Sequence, residues 1–260
     1  MRRSDGRVAI IAGASKGIGR AVADQLVGDG FDLLLVARSA ADLQVAQGEL
    51  ASSGRKVAFH AVDLRNPAAA DAVRDEALAA FGRVDVLVNC AGATKGGPFL
   101  DLSDEVWQDG FALKFFGTMR LCRSIWPLLR ESRGAVVNIV GGFARTPDPD
   151  FLIGGAVNAA LANFTKGLSR QGIRDDVTVN AIHPGTTMTD RLLEIVATRA
   201  RLEGLGEKEV LASMAEREKI RRLGEPEDVA RLVGFLCGSG ARHIQGVAIS
   251  VDGGATPSLF

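Results

Sequence analysis

Along nearly the whole chain, short aliphatic runs rich in β-branched residues alternate with longer stretches of helical period. The short runs are Val8–Gly13, Phe31–Arg38, Lys56–Val62, Val84–Gly92, Gly134–Gly142, Val177–Gly185 and Gly246–Gly254. Apolar runs of this length, joined by helical segments, are the mark of βαβ units around a buried parallel sheet. Between them the spacing predicts helices over Ile18–Gly28, Ala40–Ser52, Pro67–Phe81, Asp104–Ser132, Gly154–Gln171 and Glu227–Leu236. Two end signals support the boundaries: Pro226 sits where a first-turn proline is tolerated, and Gly82 follows an apolar stripe as a helix stop does. The segment 187–222 is helical in composition but does not lead straight into a strand. It is expected to run over the end of the sheet as a helical substrate lid.

At 260 residues and 47% hydrophobic content, the chain suits one sizeable α/β core, and no linker or repeat divides residues 1–260. Thirty-one basic and thirty-one acidic side chains cancel without any run of one sign, which argues against a nucleic-acid or membrane partner and for a small-molecule substrate. The opening Met1–Arg7 carries no apolar signal core, and no stretch approaches the length of a membrane span, so a soluble cytoplasmic protein is expected. Cys90, Cys122 and Cys237 are far apart and lack metal-site spacing, so they are expected to be reduced structural thiols, with no metal.

The first candidate chemistry lies directly after the first strand. Gly13, Ser15, Lys16, Gly17, Ile18 and Gly19 form a glycine-rich turn that opens the first helix. Glycine permits the tight turn and the close approach of a pyrophosphate, and the free amides and dipole of the helix start favour its charge. At the end of the second strand, Ala37 stands where an acid would bind a ribose diol, and Arg38 follows it. A guanidinium there, with Lys16 beside it, suits the 2′-phosphate of NADP(H) rather than the diol of NAD.

The spacing Gly-x-x-x-Gly-x-Gly resembles the short-chain dehydrogenase/reductase family, and further matches run from Val8 to about Gly254. Asp63-Leu64 resembles the family's adenine-contacting pair. Asn89-Cys90-Ala91-Gly92 resembles its Asn-Asn-Ala-Gly motif with one replacement, which implies that Asn89 supports the central strand and Gly92 gives the cofactor room. Pro184-Gly185 with Thr189 resembles the segment that holds the nicotinamide carboxamide, and His183 before it fits a structural role. The resemblance implies a single Rossmann-type, doubly wound, parallel seven-stranded sheet, ordered 3-2-1-4-5-6-7, with helices on both faces. It also implies a homodimer or homotetramer through the long central helices. A hetero-oligomer with an active homologue is the other arrangement considered, and the terminal Thr256–Phe260 is a candidate subunit contact.

The family's usual chemistry depends on a tyrosine proton donor, a lysine, a serine and an asparagine, yet this chain contains no tyrosine. Flanking matches put Gly154 at the tyrosine position, Asn158 at the lysine, Gly141 at the serine and Lys114 at the asparagine. Loss of a positioned general acid costs roughly 10²–10⁴ in rate. The pairs Gly141-Gly142 and Gly154-Gly155 are expected to enlarge the pocket or admit water. Lys114 and Asn158 are the remaining candidate catalytic groups. The Lys114 ammonium has three readings: a refill for the missing charge, bonded to Asn158 or to backbone carbonyls; a proton donor; or a ligand for a substrate anion. Asn158 retains donors and an acceptor for a ribose hydroxyl. In the loop Arg145–Asp150 the charges are expected to be solvated. Phe143 and Phe151 are expected to form an apolar wall or to join the core, and Phe111, Phe115 and Phe116 to pack between helices. The leading expectation is an NADP(H)-dependent oxidoreductase with a non-standard active site acting on an activated alkene or a protonated imine. The alternatives are a catalytically inactive NADP(H)-binding protein, acting as a sensor or silent subunit, and redox-neutral chemistry in a reused cleft.

Overall fold

All seven apolar runs become strands of one parallel sheet in a computed structural model that describes residues 6–258. They are β1 (Val8–Ala12), β2 (Asp32–Ala37), β3 (Val57–Ala61), β4 (Val86–Asn89), β5 (Ala135–Ile139), β6 (Thr178–Pro184) and β7 (Ala248–Val251), ordered β3-β2-β1-β4-β5-β6-β7. The central strands β1, β4, β5 and β6 are buried along their whole length, which is why their sequences read as continuous apolar runs. The contact suggested for the terminal Leu259 and Phe260 lies outside the described residues.

Alternate residues of each strand feed two cores. Ala9 and Ile11 of β1 face one cluster with α1 (Gly17–Gly28), α2 (Ala40–Leu50) and α9 (Pro226–Leu236). Ile10 and Ala12 face the other, with α3 (Ala69–Phe81) and α5 (Thr118–Ser132). The predicted helix ends hold at Pro226, the first residue of α9, and at Gly82, which caps α3 with φ 74°. The predicted helix Asp104–Ser132 is continuous but not uniform: α4 (Asp104–Phe111) passes into a π-helical turn, Ala112–Gly117, before α5. Single π turns re-phase a helix face and recur at functional sites, and this one carries Lys114.

The long α6 (Leu152–Asp175) follows β5. Residues 187–222 contain α7 (Asp190–Glu203) and α8 (Glu207–Arg217), packed on each other through Leu192, Val196, Val210 and Met214. The two ends of this excursion are tied together, since Met188 N–H donates to the Gly224 carbonyl (2.7 Å) and Gly224 N–H to the Thr186 carbonyl (2.9 Å). Among the described residues, no helix is long and apolar enough to cross a membrane.

The order reverses at β1, which has β2 on one side and β4 on the other, so a crevice opens above the carboxyl ends of these strands. A buried amide chain fixes the strands beneath it. Asn89 Nδ2 donates to Asn138 Oδ1 (2.8 Å), Asn138 Nδ2 to Thr165 Oγ1 (2.9 Å), and Thr165 Oγ1 to the Leu161 carbonyl (2.7 Å). This chain links β4, β5 and α6. Replacing Asn138 by alanine strands partners on both sides, and a buried unsatisfied group costs about 1–3 kcal/mol. Thermal denaturation of Asn138→Ala should therefore show a midpoint several degrees below the parent, at roughly 2–4 °C per kcal/mol for a chain of this size. An unchanged midpoint would remove the amide chain from the account of the core.

Candidate active site

The turn after β1 is clamped by two backbone bonds, from Gly13 N–H (2.7 Å) and Ala14 N–H (3.2 Å) to the Val36 carbonyl. Gly13 has φ 84°, and a Cβ there would lie 2.7 Å from the Ala91 nitrogen. Only glycine allows this approach between the first turn and the loop after β4. Gly19 is buried, and a Cβ at that position would overlap the Gly13 carbonyl. Helix α1 begins at Gly17 with no side-chain cap and no acid in its first turn, so its leading amides and dipole remain for an anion.

A cleft of about 600 Å³ lies over this turn. Gly13, Ser15, Lys16 and Gly17 line it from β1 and α1, and Arg38 borders it at the end of β2. Leu64, Ala91, Gly92 and Thr189 complete the predicted residues in the lining. Lys16 and Arg38 are exposed, and neither forms an ion pair among the described residues. Asp109, whose carboxyl feels Arg38, is held by Arg65 (2.6 Å).

Other predicted residues stand back from the lining. Ile18 packs on the core, and Asn89 belongs to the buried amide chain, as the family resemblance implies. Asp63 accepts the Arg65 N–H (3.0 Å) and faces its guanidinium (3.4 Å), between Val62 and Leu64, which do line the cleft. Pro184 ends β6, and Gly185 N–H donates to the Val251 carbonyl (3.0 Å).

Gly154 and Gly141 do not open the pocket as expected. A Cβ on Gly154 would overlap the Phe151 ring, so that ring fills the space where a side chain at 154 would begin. Phe143 stacks at a tilt on Phe151 with centroids 5.0 Å apart, making the apolar wall. At Gly141, with φ 131°, a Cβ would lie 2.7 Å from Asn158 Nδ2, so that amide fills the space where a side chain at 141 would begin. Volume lost from two positions is thus refilled by neighbours rather than by solvent, in keeping with close-packed interiors. Asn158 is buried, and its Oδ1 has no hydrogen-bond partner among the described residues.

Two side chains hold the carbonyls at the end of β5. His183, buried, bonds the Gly141 carbonyl through Nδ1 (2.8 Å), and burial lowers its pKa, so it stays a structural imidazole. Lys114 donates from Nζ to the Val140 carbonyl, and its stem lies where a Cβ on Gly92 would come within 2.9 Å of Cδ. The side chain is half-buried. Burial, followed by the charge of Arg191, pushes its ammonium down to about 8. Cys90 alongside is pushed up to about 12 by burial and is a neutral thiol. Of the three readings of Lys114, bonding to a backbone carbonyl is present in this geometry. An ammonium has three donors, so that bond leaves two.

Arg145 departs from the solvated role expected of its loop: it bonds Ser250 Oγ (3.0 Å) and the Ala248 carbonyl (2.8 Å), pinning the loop to β7. Phe115 packs edge-on against Phe111 (6.2 Å) and Phe164 (6.0 Å), which is helix packing as expected. Sequence reasoning missed Arg191, which lines the cleft, and the exact place of Phe151. Arg191 follows Thr189 by two residues and was open to notice. Phe151 is the residue before α6, with φ −133°, and its ring folds onto the first turn of the helix at Gly154.

A doubly wound parallel sheet with a glycine turn at its switch point defines a dinucleotide-binding domain. The chain belongs to the short-chain dehydrogenase/reductase family. The family model described as Enoyl-(Acyl carrier protein) reductase matches residues 13–256. An uncharacterised oxidoreductase of Mycobacterium tuberculosis is 32% identical, covering 100% of this chain and 96% of that protein. The 3-oxoacyl-[acyl-carrier-protein] reductase of Escherichia coli is 29% identical over 96% of this chain and 97% of its own. The L-sorbose reductase of Gluconobacter frateurii, solved with NADPH and L-sorbose, superposes with a TM-score of 0.95 at 33% identity, covering 98% of each chain.

The overlap at position 154 sets up a double-mutant cycle. Gly154→Ala should destabilise the protein by about 1–3 kcal/mol through overpacking. In the Phe151→Ala background the same change should cost little, because the ring is gone. Denaturant unfolding of the four proteins measures the coupling, and strict additivity would refute the assignment of the ring to this space.

Proposed function

We propose that the chain is an NADP(H)-dependent oxidoreductase whose reaction centre works without a phenol and uses the Lys114 ammonium as its acid. The observation that carries this reading is the half-buried Lys114, set between the Val140 carbonyl and Gly92, which lines the cofactor cleft. When bound, NADPH supplies a hydride. Arg38 and Lys16 hold the 2′-phosphate, and the leading amides of α1 hold the pyrophosphate. Gly92 and Thr189, which line the cleft, would border the nicotinamide.

Reduction of an activated alkene or a protonated imine demands less acid assistance than that of a ketone, which would leave a full alkoxide beside an apolar wall. An alkene conjugated to a carbonyl takes up a hydride and a proton in all, and Lys114 delivers the proton, passing from ammonium to amine and recovering it from solvent. The description of the matching family, a reduction of an enoyl chain, agrees with this substrate class. Helices α7 and α8 act as the lid, α5 and α6 form the subunit interface of a homodimer or homotetramer, and the free thiols suit a reducing cytoplasm.

A second reading is favoured by one observation, the Phe151 ring in the place of the proton donor. In that reading the protein binds NADP(H) without turnover, as a sensor or as the silent subunit of a hetero-oligomer with an active homologue.

Fluorescence titration should show NADPH bound at least tenfold more tightly than NADH, and Arg38→Ala should lose most of that preference, as expected for one charge-assisted phosphate contact of about 1.5–3 kcal/mol. Equal affinities would remove the 2′-phosphate assignment. With a trans-2-enoyl thioester as substrate, oxidation of NADPH should fall as pH rises through about 8, because the ammonium is present below that value and lost above it. Lys114→Met should lower the turnover number by roughly 10²-fold or more while NADPH affinity stays within a few-fold. Tight NADPH binding without oxidation by alkenes or imines would establish the second reading instead.

A further inference from the structure

We infer that Lys114 and Arg191 together form a binding site for the carboxylate of an apolar, carboxylate-bearing ligand, next to the cofactor cleft. The inference rests on reading that cleft as the NADP(H) site. The two cations come from different elements, Lys114 from the π turn and Arg191 from the first turn of α7. Both converge on the loop after β4. The Lys114 stem lies against Gly92, and Arg191 Nη2 donates to the Thr94 carbonyl (2.9 Å). Each uses one donor on a backbone carbonyl and has others to spare.

Charge around the pair is not balanced by the protein. Among the described residues neither cation forms an ion pair, although Asp190 borders the same cleft. Cys90 is a neutral thiol, and His183, whose ring also feels Lys114, is held neutral by burial. Arg191 adds to the cost of keeping Lys114 charged. Like charges placed together with spare donors are stabilised by a ligand that brings negative charge and acceptor atoms. The cofactor phosphates have their own partners in Lys16, Arg38 and the α1 amides.

The same loop also carries an apolar surface. Gly97 N–H donates to the Asp150 carbonyl (2.8 Å), and a Cβ on Gly96 would lie 3.2 Å from Phe151 Cδ2, so the loop that meets the cations reaches the Phe143–Phe151 wall within a few residues. Charge at one end and aromatic faces at the other describe a ligand with an anionic head and a flat or aliphatic body.

Benzoate and its uncharged isostere benzamide serve as probes, titrated calorimetrically into the full-length protein with and without saturating NADPH. Benzoate should bind at least about tenfold more tightly than benzamide, a difference of about 1.4 kcal/mol, and should not displace NADPH. Arg191 is exposed, so Arg191→Met leaves the fold intact. That variant should lose about tenfold in benzoate affinity with NADPH affinity within threefold, and Arg191→Lys should recover part of the loss. Lys114→Met should act in the same direction. Equal binding of the two probes, absence of benzoate binding, or displacement of NADPH by benzoate overturns the inference. So does an Arg191→Met protein that loses NADPH and keeps its preference for benzoate, because Arg191 then serves the cofactor phosphates. Failure of the parent to bind NADPH, with the benzoate preference intact, counts against the preceding reading and not against this site.

Discussion

Two backbone segments at the carboxyl end of the sheet must come closer than any side chain permits, and the cleft exists only because they do. The turn at Gly13 is drawn onto β2 by its bonds to the Val36 carbonyl, and it lies against Ala91 with no space for a Cβ. This approach puts the start of α1 beside the loop that carries Gly92 and, through Thr94, Arg191. A larger residue at position 13 would part the turn from the loop and separate the phosphate end of the cleft from the end where Lys114 stands. The buried amides of Asn89 and Asn138 serve the same purpose one layer down, holding β4 to β5 so that their loops stay in register.

Around Gly154, Gly141 and the Val140 carbonyl, neighbouring side chains take up the space and the free acceptor. The ring of Phe151 takes the space ahead of Gly154, the amide of Asn158 takes that ahead of Gly141, and the Lys114 ammonium takes the Val140 carbonyl. None of these is a random filler. A close-packed interior tolerates no void next to a central strand, and a carbonyl at a strand end needs a donor. Under the proposed function, an ammonium tuned by burial serves where the family uses a phenol tuned by an ammonium. Its acidity is set by desolvation and by the Arg191 charge, and it no longer requires a hydroxyl partner.

Much of this was legible in the residues. Continuous apolar runs such as Leu33–Val36 and Val86–Val88 reveal strands buried on both faces, and Pro226 and Gly82 mark helix ends, because these signals are local. The cleft residues from Gly13 to Gly17 and Arg38 were equally plain, since a turn between a strand and a helix fixes their direction. The refilling beside Gly154 and Gly141 was not. Whether space beside Gly154 stays empty depends on the rotamer of Phe151 and on the loop that presents it, which is tertiary information. The π turn at Ala112–Gly117 was invisible for a similar reason, as helical period alone reads through one extra residue. Arg145 looked like a loop charge and proved to be a clasp on β7, because its partners Ala248 and Ser250 lie over a hundred positions away in the chain.

The distribution of charge ties these features together. The chain is neutral overall, with thirty-one side chains of each sign. Many of its acids are engaged in surface ion pairs, such as Asp24 with Arg20, Asp71 with Arg74 and Asp228 with Arg222. Exposed pairs of this kind add little stability, but they remove negative charge from the field of the cleft. Lys16, Arg38, Lys114 and Arg191 are left without ion-pair partners among the described residues, two at the phosphate end and two at the reaction end. The cleft lining carries Lys16, Arg38 and Arg191 together with Asp42 and Asp190, so local charge, rather than net charge, selects the ligands. Burial and the Arg191 charge push the Lys114 ammonium down to about 8, so the side of the crevice next to Gly92 loses positive charge as pH rises through that value. Under the proposed function, Lys16 and Arg38 serve the cofactor and Lys114 the reaction, so separate groups would govern cofactor affinity and turnover, as a scaffold that keeps its cofactor while changing its chemistry would need.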